Sequence, residues 1–203
     1  MSFDLDTINH PKIKFGKTGI LLVNLGTPDS TNWWDIRKYL KEFLSDTRVI
    51  EVNPILWKII LNLFILTLRP SKTAHAYKKI WMKDTNQSPL RYYTKSQTEK
   101  LKQNIGNNNI IVDFAMRYGN PSIKSKLELL QKEGCEKIII FPLYPQYAAA
   151  TTATVCDEVY RNLIKMTFGN IKELDLHLFH GFSNMSTKNV INFDKYIDDS
   201  QRN

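Results

Sequence analysis

The side chains best suited to chemistry fall in three short segments, Asn24 to Pro28, Arg117 to Asn120 and Tyr144 to Thr154, each directly after an apolar run. They carry rings, hydroxyls and a guanidinium: Arg117-Tyr118 in the second, and Tyr144-Pro145-Gln146-Tyr147 followed by Ala-Ala-Ala-Thr-Thr-Ala-Thr in the third. Rings beside small residues and hydroxyls suit a flat aromatic ligand better than a phosphate. The usual phosphate cradles do not occur: Gly26 stands alone after the first run without G-x-G-x-x-G, and no G-x-x-x-x-G-K-[ST] is found. Arg117 puts a charge at the end of a hydrophobic run, where burial without a partner is costly, so it is read as functional or ion-paired rather than solvated. Cys135 and Cys156 can make neither a disulfide framework nor, without a C-x-x-C pair, a thiolate zinc site, which points to a reducing compartment.

The elements that must position these segments follow an α/β rhythm. Lys17 to Pro28 holds a near-continuous apolar run ended by Gly26 and Pro28, the pattern of a strand buried on both faces. Asp29 or Ser30 can cap the next helix, whose apolar positions Trp33, Ile36, Leu40, Phe43 and Leu44 recur at helical spacing. Pro54 to Leu68 is the most hydrophobic stretch, apolar around most of its circumference and too short to span a bilayer; it is either buried or lies in a membrane interface, with Arg69 and Lys72 at its end. A polar helix is expected over Ser71 to Met82 and another over Arg91 to Ile105. Asn109 to Arg117 then reads as strand, Pro121 to Glu133 as helix, Lys137 to Leu143 as strand, Thr152 to Phe168 as helix and Ile171 to Leu178 as an edge strand. Val190 to Ile197 can make one more helix. Parallel strands joined by crossover helices give a doubly wound parallel sheet, with ligands beyond the carboxyl ends of its strands. The three segments lie at those ends.

At 203 residues the chain suits one core and little more, and 42% hydrophobic with 24% charged residues is ordinary for a folded domain. The division expected is an extension over residues 1–16, an α/β domain over 17–178 and a polar tail over 179–203. A net charge of +8 suits nucleic acid, an anionic membrane surface or an acidic small molecule. No nucleic-acid motif accompanies it. With no apolar run of about 18 residues and no signal peptide, a cytoplasmic location is expected, with contact at the inner membrane at most peripheral.

Several motifs, in order, resemble the ferrochelatases, which insert ferrous iron into a porphyrin. They are Val23-Asn24-Leu25-Gly26-Thr27-Pro28, Tyr77-Lys78-Lys79-Ile80 followed by Gln87-Ser88-Pro89-Leu90, Met116-Arg117-Tyr118-Gly119, and Tyr144-Pro145-Gln146-Tyr147 with Thr151-Thr152. The resemblance implies a Rossmann-like domain of chelatase type, the first of the family's two similar halves, with porphyrin held between them. It implies porphyrin-contacting roles for Leu25, Arg69, Tyr77, Ser88, Arg117, Tyr118, Tyr144 and Thr151, with Arg117 as the main anionic anchor. Several have a plainer reading: packing for Leu25, Tyr118 and Tyr144, a turn for Ser88, a helix cap for Thr151 and Thr152.

The family's metal-binding histidine and its glutamate belong to the second half, so the resemblance implies no catalytic residue here. His180, in Leu178-Phe179-His180-Gly181-Phe182-Ser183, resembles the histidine motif but lacks its proline and comes early in the chain. The chain is expected to be an amino-terminal half, active only with a complementary carboxy-terminal half; the alternative is a porphyrin-binding module or remnant without turnover. Iron and protoporphyrin are then substrates, with no permanently bound cofactor. No 2Fe-2S cluster is expected, because Ala148-Ala149-Ala150 stands where some members carry a cysteine. Pro54 to Leu68 matches the family's apolar lip, where membrane contact is expected.

Overall fold

The computed structural model describes residues 16–166, 173–177 and 188–191. Strands β1 (Lys17–Thr27), β2 (Ile110–Gly119), β3 (Cys135–Pro142), β4 (Glu173–His177) and β5 (Lys188–Ile191) form a sheet of order β2-β1-β3-β4-β5. The first four run parallel and β5 pairs antiparallel to β4. The doubly wound parallel sheet is therefore present. Two expectations about its far side change: β4 is an inner strand, and Lys188–Ile191 is strand where a helix over Val190 to Ile197 was expected. Pairing gives the outer main-chain groups of β4 the partners an edge strand lacks. Residues 192–197 lie outside the described residues.

The helices are α1 (Trp33–Leu44), α2 (Pro54–Ile60), α3 (Leu66–Ile80), α4 (Pro89–Ile105), α5 (Ile123–Lys132) and α6 (Thr154–Lys165). Helices α5 and α6 cover one sheet face, where Leu21, Val23, Ile138 and Ile140 pack on Leu127, Leu130, Val159 and Leu163. Each such side chain contributes roughly 1.5–3 kcal/mol when fully buried. Helix α4 packs on β1 and β2. Helices α1 and α3 build a second cluster with Leu25 and Tyr118, residues from the carboxyl-terminal parts of β1 and β2. One core thus holds the sheet together and the other stands over its carboxyl edge.

Local chemistry explains the shifted helix starts. Neither Asp29 nor Ser30 caps α1; Asn32 does, accepting the Asp35 amide at 2.8 Å. Asp29 is engaged by Arg91, and the Ser30 hydroxyl donates to Asp35. Pro121 precedes α5 instead of entering its first turn, because its carbonyl accepts the Met116 amide at 2.7 Å while Ser122 caps the helix.

The expected break between the apolar stretch and a polar helix does not occur. α2, one π-helical turn (Leu61–Ile65) and α3 run on as one helix from Pro54 to Ile80. Its 27 residues make it long and apolar enough to cross a membrane by length and composition. Pro70 is accommodated within it: Leu66, whose carbonyl lies four residues before the proline ring, has ψ −5° in place of the usual −42° or so. Leu61, Leu66, Pro70 and Ala74 face inward, whereas Ile55, Leu56, Ile59, Leu63, Phe64 and Leu68 are exposed.

Among the described glycines the closest backbone approach is at Gly26, where φ is +114° and an added Cβ would lie 1.9 Å from the Tyr118 carbonyl oxygen. Strain at such a φ and overpacking each cost about 1–3 kcal/mol, so Gly26→Ala should lose roughly 2–6 kcal/mol. Gly134, at φ +78° with nothing within 4 Å of its added Cβ, should lose only about 1–2 kcal/mol as alanine. Urea unfolding of the two variants checks this; equal losses would show that the β1–β2 approach is not the tight point described.

Candidate functional site

The chain leaves β1 toward β2 on one side, whereas the later connections run to β3 and β4 on the other. The connections therefore diverge at β1 and β3, and a ligand crevice belongs beyond their carboxyl ends. Leu143 ties those ends together, its amide donating to the Val23 carbonyl at 2.7 Å.

Aromatic residues converge there. Tyr118 is fully buried, with its ring edge-on to Phe43 at 5.1 Å; Tyr39 is edge-on to Tyr77 at 6.3 Å. Leu25, Tyr77 and Tyr118 belong to this one cluster. Tyr144 packs against the α5–α6 core and lies within electrostatic reach of Tyr39 and Tyr118. Burial pushes the hydroxyls of Tyr39, Tyr77, Tyr118 and Tyr144 upward, so all four are neutral donors at physiological pH and none is a base. The Tyr144 hydroxyl oxygen is buried with no protein partner, and Thr27 Oγ1 is buried beside the Tyr77 hydroxyl. A buried polar atom left unpaired costs about 1–3 kcal/mol.

Arg117 is only 7% exposed and fully engaged by its own chain. Its Nε donates to the Thr154 carbonyl at 2.8 Å, Nη2 donates to Asp46 at 2.5 Å, and Nη1 lies 3.8 Å from Glu158. Its guanidinium also covers the Tyr118 ring at 4.4 Å, and the Tyr118 hydroxyl donates to the same Asp46 oxygen at 2.9 Å. A polar cavity of about 450 Å³ opens beside it, lined by Glu42, Ser45, Asp46, Thr47, Arg117, Glu158 and Arg161. Desolvation raises the Glu42 carboxyl, opposed by the Gly119 amide it accepts at 3.0 Å and by Arg117. The residue types at 117 and 118 were readable as special from sequence; Asp46, 71 positions away in a Ser-Asp-Thr-Arg turn, was not.

The remaining candidates stand apart from the cluster. Ser88 is buried and caps α4, accepting the Arg91 amide at 3.2 Å. Thr151 sits in a π-helical turn (Ala149–Ala153) ahead of α6, its hydroxyl donating to the Ala148 carbonyl at 3.3 Å. Arg69 is exposed on α3. His180 lies outside the described residues.

The ferrochelatase family model matches residues 17–189. This chain belongs to the ferrochelatase family. It is 58% identical over 158 residues to a ferrochelatase of Allorhizobium ampelinum, covering 77% of this chain and 46% of that protein. Ferrochelatases of Francisella tularensis subsp. tularensis and subsp. novicida are 61% and 60% identical over 153 residues, covering 75% of this chain and 45% of theirs. The chain thus spans about half the length of the curated ferrochelatases it matches.

The Arg117–Asp46 pair yields a stability test. Removing one member of a buried pair costs about 3–5 kcal/mol, because the other charge stays buried and unpaired. Arg117→Ala should lose that much in chemical denaturation, and Arg117→Ala with Asp46→Asn should recover part of it. Additive losses in the double variant would show that the two do not act as a pair.

Proposed function

We propose that this chain forms one wall of the porphyrin cleft of a ferrochelatase acting in haem biosynthesis, with ferrous iron and protoporphyrin as substrates. The observation that supports the reading is the clustering of Leu25, Tyr77 and Tyr118 at the carboxyl edge of the sheet, with Tyr144, whose buried hydroxyl has no protein partner, within electrostatic reach of Tyr118. A flat apolar macrocycle with polar edges suits those rings and donors.

Iron insertion needs two pyrrole protons removed by a base, and binding energy to bend the macrocycle toward its transition state. The tyrosines of this wall stay protonated and serve to position, so the reading assigns the base and the iron-delivering ligand to a complementary carboxy-terminal half. A second reading is a porphyrin-binding module or remnant without turnover. Under either reading the protein needs no resident cofactor or iron–sulfur cluster.

Because Arg117 is already neutralised by carboxylates, its proposed role is to hold Tyr118 and Asp46 at the site. Arg69, exposed on α3, is assigned the contact to a porphyrin carboxylate, with Ser88 at the α4 cap and Thr151 in the turn before α6 assigned to the cleft lining. The exposed face Ile55, Leu56, Ile59, Leu63, Phe64 and Leu68 is assigned to the apolar membrane interface, with Lys72 reaching lipid phosphates. The reading carries with it a cytoplasmic location, peripheral to the inner membrane, and a preference for protoporphyrin over more acidic porphyrins at the apolar lip.

Fluorescence-quenching titrations of the 203-residue chain test the reading. A dicarboxylate porphyrin should bind, and Arg69→Ala should weaken it by roughly tenfold while leaving its dimethyl ester unaffected, as loss of one charge-assisted hydrogen bond implies. No binding by the wild type would overturn the porphyrin assignment; equal weakening of acid and ester would overturn the role of Arg69.

A further inference from the structure

We propose that Arg91 is a positioning residue that sets the place of the β1 end, residues 25–29, at the cleft. The inference rests on the porphyrin reading for the identity of the ligand, but its geometry stands independently.

Arg91 occupies the third position of α4, and its side chain is 17% exposed. Its Nη2 donates to Asp29 Oδ1 at 2.8 Å and faces the Pro28 and Thr27 carbonyl oxygens at 3.4 and 3.5 Å. The other Asp29 oxygen accepts from Asn120 Nδ2 at 2.6 Å. One carboxylate therefore joins α4 to the loops that follow β1 and β2.

A second grip lies one helical turn along. Thr94, three residues after Arg91 and so on the same face of α4, accepts from Asn24 Nδ2 at 3.0 Å, and Asn24 Oδ1 accepts the Leu25 amide at 2.8 Å. The segment carrying Leu25 is held from α4 at both ends, by Thr94 through Asn24 and by Arg91 through Asp29.

The position is also unfavourable to the arginine itself. Its Nε is buried with no acceptor, so the side chain stays with one donor unmade. A group kept there against that penalty is kept by its Nη2 contacts, all of which go to the β1 loop. A lysine can offer Asp29 a charge, but on a compact, strongly hydrated ammonium with a different reach, so it replaces only part of the contact.

Amide hydrogen exchange and porphyrin titration of the full chain test this together. In Arg91→Ala, exchange at Gly26, Thr27 and Asp29 should accelerate by roughly tenfold or more while amides in the interior of β1 and β3 keep their wild-type rates, and Arg91→Lys should restore part of the protection. Protoporphyrin affinity should fall by roughly tenfold in Arg91→Ala, with Asp29→Asn giving a similar fall and the double variant little more. Unchanged exchange at residues 26–29, or acceleration by the same factor throughout the sheet, would overturn the inference. If the wild type binds no porphyrin but the exchange shows the expected pattern, Arg91 positions the loop and the porphyrin reading fails.

Discussion

A guanidinium at the end of a hydrophobic strand has to be neutralised where it stands, and the arrangement of this domain turns on how Arg117 meets that demand. Asp46 supplies the charge, the Thr154 carbonyl takes a second donor, and the Tyr118 hydroxyl shares the Asp46 oxygen. Three connections are pinned by that one contact: the end of β2, the turn after α1, and the start of α6. Arg48, which grips Asp157 with Nε and Nη2, fastens the same turn to α6 again at the surface. The buried contact carries most of the weight, because exposed pairs contribute about 1 kcal/mol at most.

Pinning these connections gives the carboxyl edge of the sheet a fixed platform. The turn held by Asp46 comes shortly before the long helix from Pro54, and that helix presents the apolar outer face. Trp57 ties it to the end of α1, its indole donating to the Leu44 carbonyl at 2.7 Å. The inner side of the helix completes the aromatic cluster, and its outer side leaves six large apolar residues in solvent. A contiguous face of that kind on a chain with a net charge of +8 is suited to an anionic apolar interface.

Much of this was legible in the sequence because it depends on local pattern. The β1 run, the alternation of strands with amphipathic helices, and Gly134 just beyond α5 each arise from periodicity or backbone preference within about ten residues. The rings and hydroxyls of the site were legible for the same reason, since they come directly after apolar runs. Features set by distant partners were not. Asn32 caps α1 because Asp29 is held by Arg91, 62 residues away. Arg117 could be recognised as needing a partner, but nothing near it names Asp46. The long helix passes Pro70 because the backbone at Leu66 turns to admit it, a tertiary adjustment no propensity encodes.

The claim that the carboxyl edge of this sheet is a porphyrin wall is tested most directly by mapping amide chemical shifts of the chain during titration with metal-free protoporphyrin. Ring-current shifts should concentrate on residues 24–29, 117–120 and 144–154, the three segments that meet at the β1/β3 divergence. Shifts confined to residues 54–68, or spread evenly over the surface, would show that porphyrin meets only the apolar lip and would contradict the account.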